Sequence, residues 1–171
     1  MTEAEAAAPP DPEAQVLRAL EATEIPFERL DCDPAAADTA AFCARYGFPP
    51  ERSLNTIVVA SKKEPRRHAA CVVRASTLLD VNKTVRKLMG VSRLSFASAE
   101  ETQAATGMVV GGVTPFGLPP DLPIYVDEAV LGLDYVILGG GGRSSKVKLD
   151  PRHLSLAPNV QFVPGLGLER E

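Results

Sequence analysis

Between Thr106 and Gly117 the chain reads Thr-Gly-Met-Val-Val-Gly-Gly-Val-Thr-Pro-Phe-Gly, and Pro119, Pro120 and Pro123 follow. Glycine permits backbone angles and close approaches closed to other residues, while proline fixes its own φ and donates no hydrogen bond. The segment is therefore a loop, and one that presents main chain. Exposed N–H groups at fixed positions can polarise a carbonyl or hold an oxyanion. The other reading of the same residues is a glycine-rich turn between two strands.

What surrounds the loop is one globular domain. The 171 residues are 45% apolar and 23% charged, long enough to bury a core without staples. Residues 1–12 read as a disordered tail and residues 13–171 as the domain. Asp11, Pro12 and Glu13 are a helix start, and Val16, Leu17 and Leu20 form its apolar stripe. Ile25 to Leu30 alternates like an edge strand. A helix is expected from Asp38 to Tyr46, stopped by Gly47. Leu54 to Ala60 and His68 to Arg74 form a hairpin with a charged tip, Lys62 to Arg67, that reads as a solvated turn or a nucleic-acid contact. Asp80 caps a helix ending at Gly90, and Ser98 with Glu101 is a capping-box pair. Strands follow at Leu122 to Val126, Tyr135 to Leu138, Lys146 to Leu149 and Asn159 to Val163. Without a regular βαβ rhythm, the fold class is α+β: a curved, mixed and mostly antiparallel, barrel-like sheet flanked by helices.

Several chemistries are excluded or left without residues. Gly139 to Gly142 precede Arg143-Ser144-Ser145-Lys146, but a Walker A loop needs Lys followed by Ser or Thr, and here Ser145 precedes Lys146. The glycine run is either a wide turn or a backbone surface close to a ligand. Neither His68 nor His153 has metal-ligand spacing, so no metal and no cofactor are expected. Ser144, Ser145 and Thr114 have no nucleophile elbow and no histidine base placed by sequence. Hydrolysis would then rest on orientation, backbone donors and a proton acceptor on the substrate. Cys32, Cys43 and Cys71, odd in number and far apart, read as reduced thiols. A net charge of −4 argues against duplex DNA as a partner, the apolar runs are too short for a membrane, and the start is no secretory signal; the expected location is cytoplasmic.

With these residues in view, the chain resembles the YbaK/EbsC family of single-domain aminoacyl-tRNA deacylases, which includes prolyl-tRNA synthetase editing domains. Gly111-Gly112-Val113-Thr114-Pro115 looks like the family's GxxxP loop, Asn55 to Val59 its Lys-Thr-Leu strand, Asp80 to Gly90 its helix ending in Leu-Gly, Ile124 to Asp127 its Pro-x-x-x-Asp segment, and Gly139-Gly140 its Gly-Gly turn. The resemblance implies hydrolysis of the ester between a wrong amino acid and the terminal ribose of a tRNA. Gly111, Gly112, Thr114 and Pro115 would frame the reacting carbonyl, and a ribose hydroxyl would assist the attacking water. Asn55, Thr56, Gly107, Gly139 and Gly140 are the expected substrate contacts. The implied partner is the acceptor end of mischarged tRNA, and homodimer formation stays open. One departure matters: Asn55 stands where the family has a lysine. That substitution gives the alternative of a non-catalytic module binding a tRNA end or small ligand, or a replacement cation drawn from Lys83, Lys87, Arg143 and Lys146. A pocket crowded by Phe42, Phe48, Val72 and Met108 would admit only a small amino acid.

Overall fold

Alternation and apolar runs place the strands, and capping residues bound the helices. The computed structural model describes residues 11–169, so the expected tail over residues 1–10 lies outside the described residues. Asp11 and Pro12 belong to no tail: the Asp11 carboxylate accepts from Glu13 N–H, and helix α1 runs Pro12–Thr23 with Val16 and Leu20 buried. Strand β1 (Glu28–Asp31) starts three residues later than its alternation suggested, because Ile25 and Phe27 pack on the core while the mostly exposed residues after them pair with Ser145–Lys148. Helix α2 (Thr39–Tyr46) ends at Gly47, whose φ of 77° is the left-handed cap. Strands β2 (Leu54–Ser61) and β3 (His68–Arg74) make the expected antiparallel hairpin. After β4 (Thr77–Leu79) come a π-turn segment, Val81–Val85, capped by Asp80, and helix α3 (Arg86–Met89).

Strand β5 (Leu94–Phe96) leads to helix α4 (Ala99–Thr106). The capping box there is half made: Ser98 Oγ accepts from Glu101 N–H, but the Glu101 carboxylate turns to Arg66 and His68 instead. Those two partners, Arg66 first, hold Glu101 below the usual carboxylate range. Strands β6 (Ile124–Asp127), β7 (Val136–Gly139), β8 (Ser145–Leu149), β9 (Val160–Val163) and β10 (Gly167–Glu169) complete the chain.

The strands form three sheets rather than one closed barrel, in the orders β5-β2-β3-β6-β9, β1-β8-β7 and β10-β4. The expected antiparallel pairing holds except at β3–β6 and β6–β9, which run parallel. The five-stranded sheet is buried on both faces, which is why β2 and β3 read as continuous apolar runs. Leu54, Val58, Ala70 and Val72 pack with Val136, Leu138 and Val147 of the second sheet and with α1. Val59, Ala69, Cys71 and Val73 pack on Val85 and Met89. Each large side chain so buried contributes about 1.5–3 kcal/mol. Ile137 N–H donates to Arg52 O at 2.8 Å, tying β7 to the segment just before β2.

Candidate active site

The glycines of the opening loop are used for close approach. Gly112 O accepts from Gly141 N–H at 2.6 Å, and Gly141 O accepts from Val109 N–H at 3.0 Å, so the two glycine segments dock main chain to main chain. A Cβ on Gly112 would lie 2.0 Å from Gly142 O, a distance no side chain tolerates. This docking sets the wall of a 290 Å³ cleft lined by the N-terminal end of α2, by Leu54, Asn55, Thr56 and Ile57 of β2, and by Val110, Gly111, Val113, Gly139 and Lys146.

Of the four cations offered above in place of the family lysine, Lys146 reaches furthest into the cleft wall. In β8 its alternation with Val147 and Leu149 suggests an outward lysine, yet it is 4% exposed. Nζ donates to Ala37 O at 2.6 Å and Gly111 O at 2.7 Å, above the Phe42 ring at 5.6 Å. An ammonium has three donors, so one is left for the cleft. Burial pushes the Lys146 pKa below the ordinary lysine value. At the rim, Arg143 Nη1 donates to Asp38 at 3.2 Å and to Val110 O at 3.0 Å, and its Nε to Pro34 O. Asp38 thus holds Arg143 rather than capping α2 with its side chain. Lys83 and Lys87 lie elsewhere, on the helical segment after β4.

Asn55 faces the cleft with its carbonyl oxygen taken by the Thr39 hydroxyl, which leaves its NH₂ group for a ligand. Thr56 Oγ1 is buried with no hydrogen-bond partner among the described residues. Such an orphan costs about 1–3 kcal/mol unless a ligand pairs it. Among the described residues the N–H groups of Gly111 and Val113 also make no hydrogen bond, while that of Gly112 is spent on Val109 O. Of the residues singled out by sequence, Asn55, Thr56, Gly111 and Gly139 line the cleft. Gly112, Thr114 and Pro115 are buried behind it. Gly107 caps α4 beside Gln15, and Gly140 packs on Ser145.

A second hollow of 510 Å³ adjoins the cleft. Thr39, Ala40 and Asn55 belong to both, and Cys43, Ala44, Phe48, Pro50 and Ala75 complete it. Phe42, Val72 and Met108 line neither cavity, being consumed by the core, so the expected crowding reduces to Phe48. The cysteines are free and buried, and burial pushes Cys71 up to about 12. Among the described residues no three His, Cys, Asp or Glu side chains gather as metal ligands, and no helix is long and apolar enough to cross a membrane.

The sequence matches the Aminoacyl-tRNA editing domain family over residues 33–155, a span that takes in every residue of the cleft. The chain belongs to this family. It is 24% identical over 151 residues to the "Putative Cys-tRNA(Pro)/Cys-tRNA(Cys) deacylase EbsC" of Enterococcus faecalis, covering 85% of this chain and 88% of that protein. It is 35% identical over 74 residues to YwhH of Bacillus subtilis, covering 43% of this chain and 46% of that one. The fold matches a crystal structure named "a putative trans-editing enzyme for prolyl tRNA synthetase", with a TM-score of 0.77 at 23% identity over 95% of this chain and 100% of the other. Within the editing-domain family, then, this member carries a cleft whose buried cation comes from β8, with an amide at Asn55 on β2.

Proposed function

We propose that the chain is a cytoplasmic aminoacyl-tRNA deacylase acting in trans, with the cleft between β2, β8 and the glycine loop as its reaction centre. The observation that carries this reading is the buried Lys146 ammonium beside Gly111, in a cleft that also holds the unpaired Thr56 hydroxyl. Water adds to the ester carbonyl, and the developing oxyanion is met by Lys146 and the Gly111 and Val113 amides, donors already in place before reaction. The C–O bond to the ribose then breaks and the ribose oxygen takes up the proton, with a neighbouring ribose hydroxyl assisting the attack. Gly112, Thr114 and Pro115 support Gly111 from behind. The Asn55 NH₂ group and Thr56 hold the terminal ribose or its phosphate, and Lys146 supplies the charge that Asn55 lacks. The amino-acid side chain enters the hollow walled by Ala44 and Phe48.

Incubation with a panel of mischarged tRNAs is expected to release amino acid from at least one of them. Release from none would remove the hydrolase reading. The alternative of a non-catalytic binder is favoured by Asn55 alone; activity in Asn55→Lys where the wild type has none would favour it.

A further inference from the structure

The reaction centre leaves one strongly charged face unused. Lys63 and Arg67 from the β2–β3 turn, Lys83, Arg86 and Lys87 from the helical segment, and Arg93 before β5 line two grooves of 380 and 620 Å³. The grooves share Gly90, Val91 and Ser92, so they form one trough. All six cations are exposed, and among the described residues none forms an ion pair, whereas arginines elsewhere, such as Arg45 and Arg152, do. Glu64 is the carboxylate in the lining. Six unpaired cations gathered in a chain of net charge −4 make a local field opposite in sign to the whole.

Between trough and cleft stands Phe96, 61% exposed. It lies opposite Val59 in the β2–β5 ladder, and directly opposed side chains share a face. Alternation puts Asn55, Ile57, Val59 and Ser61 on that same face. Asn55 and Ile57 line the cleft, and Ser61 lines the trough. Val59 itself is covered by Val85 and Met89, so the open surface is the edge of the sheet where β5 flanks β2. Along that edge cleft, exposed ring and cationic trough follow one another over about 20 Å, taking about 3.3 Å per residue.

We infer that this edge is a track for the acceptor end of RNA: the trough neutralises backbone phosphates, Phe96 stacks a base upstream of the terminal nucleotide, and the 3′-terminal ribose reaches the cleft. Cations alone would suit an acidic peptide equally well; an exposed aromatic ring set between them and a reaction cleft is the arrangement by which single-stranded nucleic acid is held. The inference rests on the deacylase reading for what enters the cleft, but its test does not.

The test uses the full chain, Lys83→Ala/Arg86→Ala/Lys87→Ala, and Phe96→Ala. Binding of an uncharged RNA hairpin with a single-stranded 3′ end is followed by fluorescence anisotropy across a salt series, and hydrolysis of aminoacyl-adenosine is measured alongside. The triple variant is expected to bind more weakly and to flatten the slope of log affinity against log salt by about 2 to 3. Phe96→Ala is expected to weaken binding about 5- to 100-fold. Both should hydrolyse aminoacyl-adenosine as the wild type does. No RNA binding by the wild type, wild-type binding by both variants, or an equal loss on the small ester overturns the track. Capture of a polyglutamate peptide with no RNA binding would assign the trough to an acidic protein instead. Should RNA binding depend on these residues while no ester is cleaved, the track stands and the deacylase reading falls; should esters be cleaved with binding unmoved by the variants, the reverse holds.

Discussion

A lysine that is 4% exposed has lost most of the water that stabilises its charge, and at Lys146 the carbonyls of Ala37 and Gly111 take water's place. Because burial lowers its pKa in the fold, the folded chain releases this proton at a lower pH than the unfolded chain, where lysine titrates near 10.4. Below both values the charge is present in both states and its burial opposes folding; between them the unfolded chain binds more protons, so the contribution of Lys146 to stability rises with pH, against the opposite contribution of the Cys71 thiol, whose pKa burial raises. The stability of the wild type relative to Lys146→Met is therefore expected to rise with pH on the alkaline side, read as the difference between their urea-unfolding curves. The same variant should lower deacylase kcat about 10²- to 10³-fold at neutral pH, the usual effect of removing one oxyanion donor. Wild-type activity, corrected for spontaneous ester hydrolysis, should fall on the alkaline side before the ordinary lysine range is reached. An unchanged kcat in Lys146→Met would confine the residue to tying Gly111 to Ala37.

The elements divide by how locally they are determined. The hairpin of β2 and β3 is legible because β-branched runs flank a charged turn, and α2 because Asp38 and Gly47 bound it. Strands β4, β5 and β10 are three residues each, too short to show a period, and the parallel pairings of β6 are set by contacts distant in sequence. The site divides in the same way. Its glycines announce a backbone loop, but the buried Lys146 is hidden by the lysines alternating around Val147, since what covers it is a loop from another part of the chain. The two kinds of glycine can be separated experimentally. Gly47→Ala meets open space and only the left-handed φ of 77°, a cost of about 1–2 kcal/mol. Gly112→Ala drives a methyl into Gly142 O and should cost about 3 kcal/mol or more by urea unfolding, with loss of activity. Equal, small losses in the two would mean that the glycine segments do not need their close contact.

Taken whole, the molecule has three separate hollows along β2: the cleft, the hollow beside it and the cationic trough. On the proposed function the cleft would take the ester, the edge running from Phe96 to the trough would take the RNA, and the hollow beyond Thr39 and Asn55 would take the amino-acid side chain. The hollow lies toward the start of β2 and the trough toward its end, so on that proposal the reacting carbon would sit between the two groups it joins. Selectivity should then be governed from α2. Ala44 is exposed on that helix and has room for a larger side chain, so Ala44→Phe fills the hollow without disturbing the core. It is expected to lower kcat/KM for leucyl esters about 10- to 200-fold relative to alanyl esters, the range that a hydrophobic pocket commands per methylene or two. Hydrolysis of alanyl-adenosine should stay close to wild type. An equal fall for both esters would mean that the hollow receives the terminal base, because the base is common to every substrate while the side chain is not.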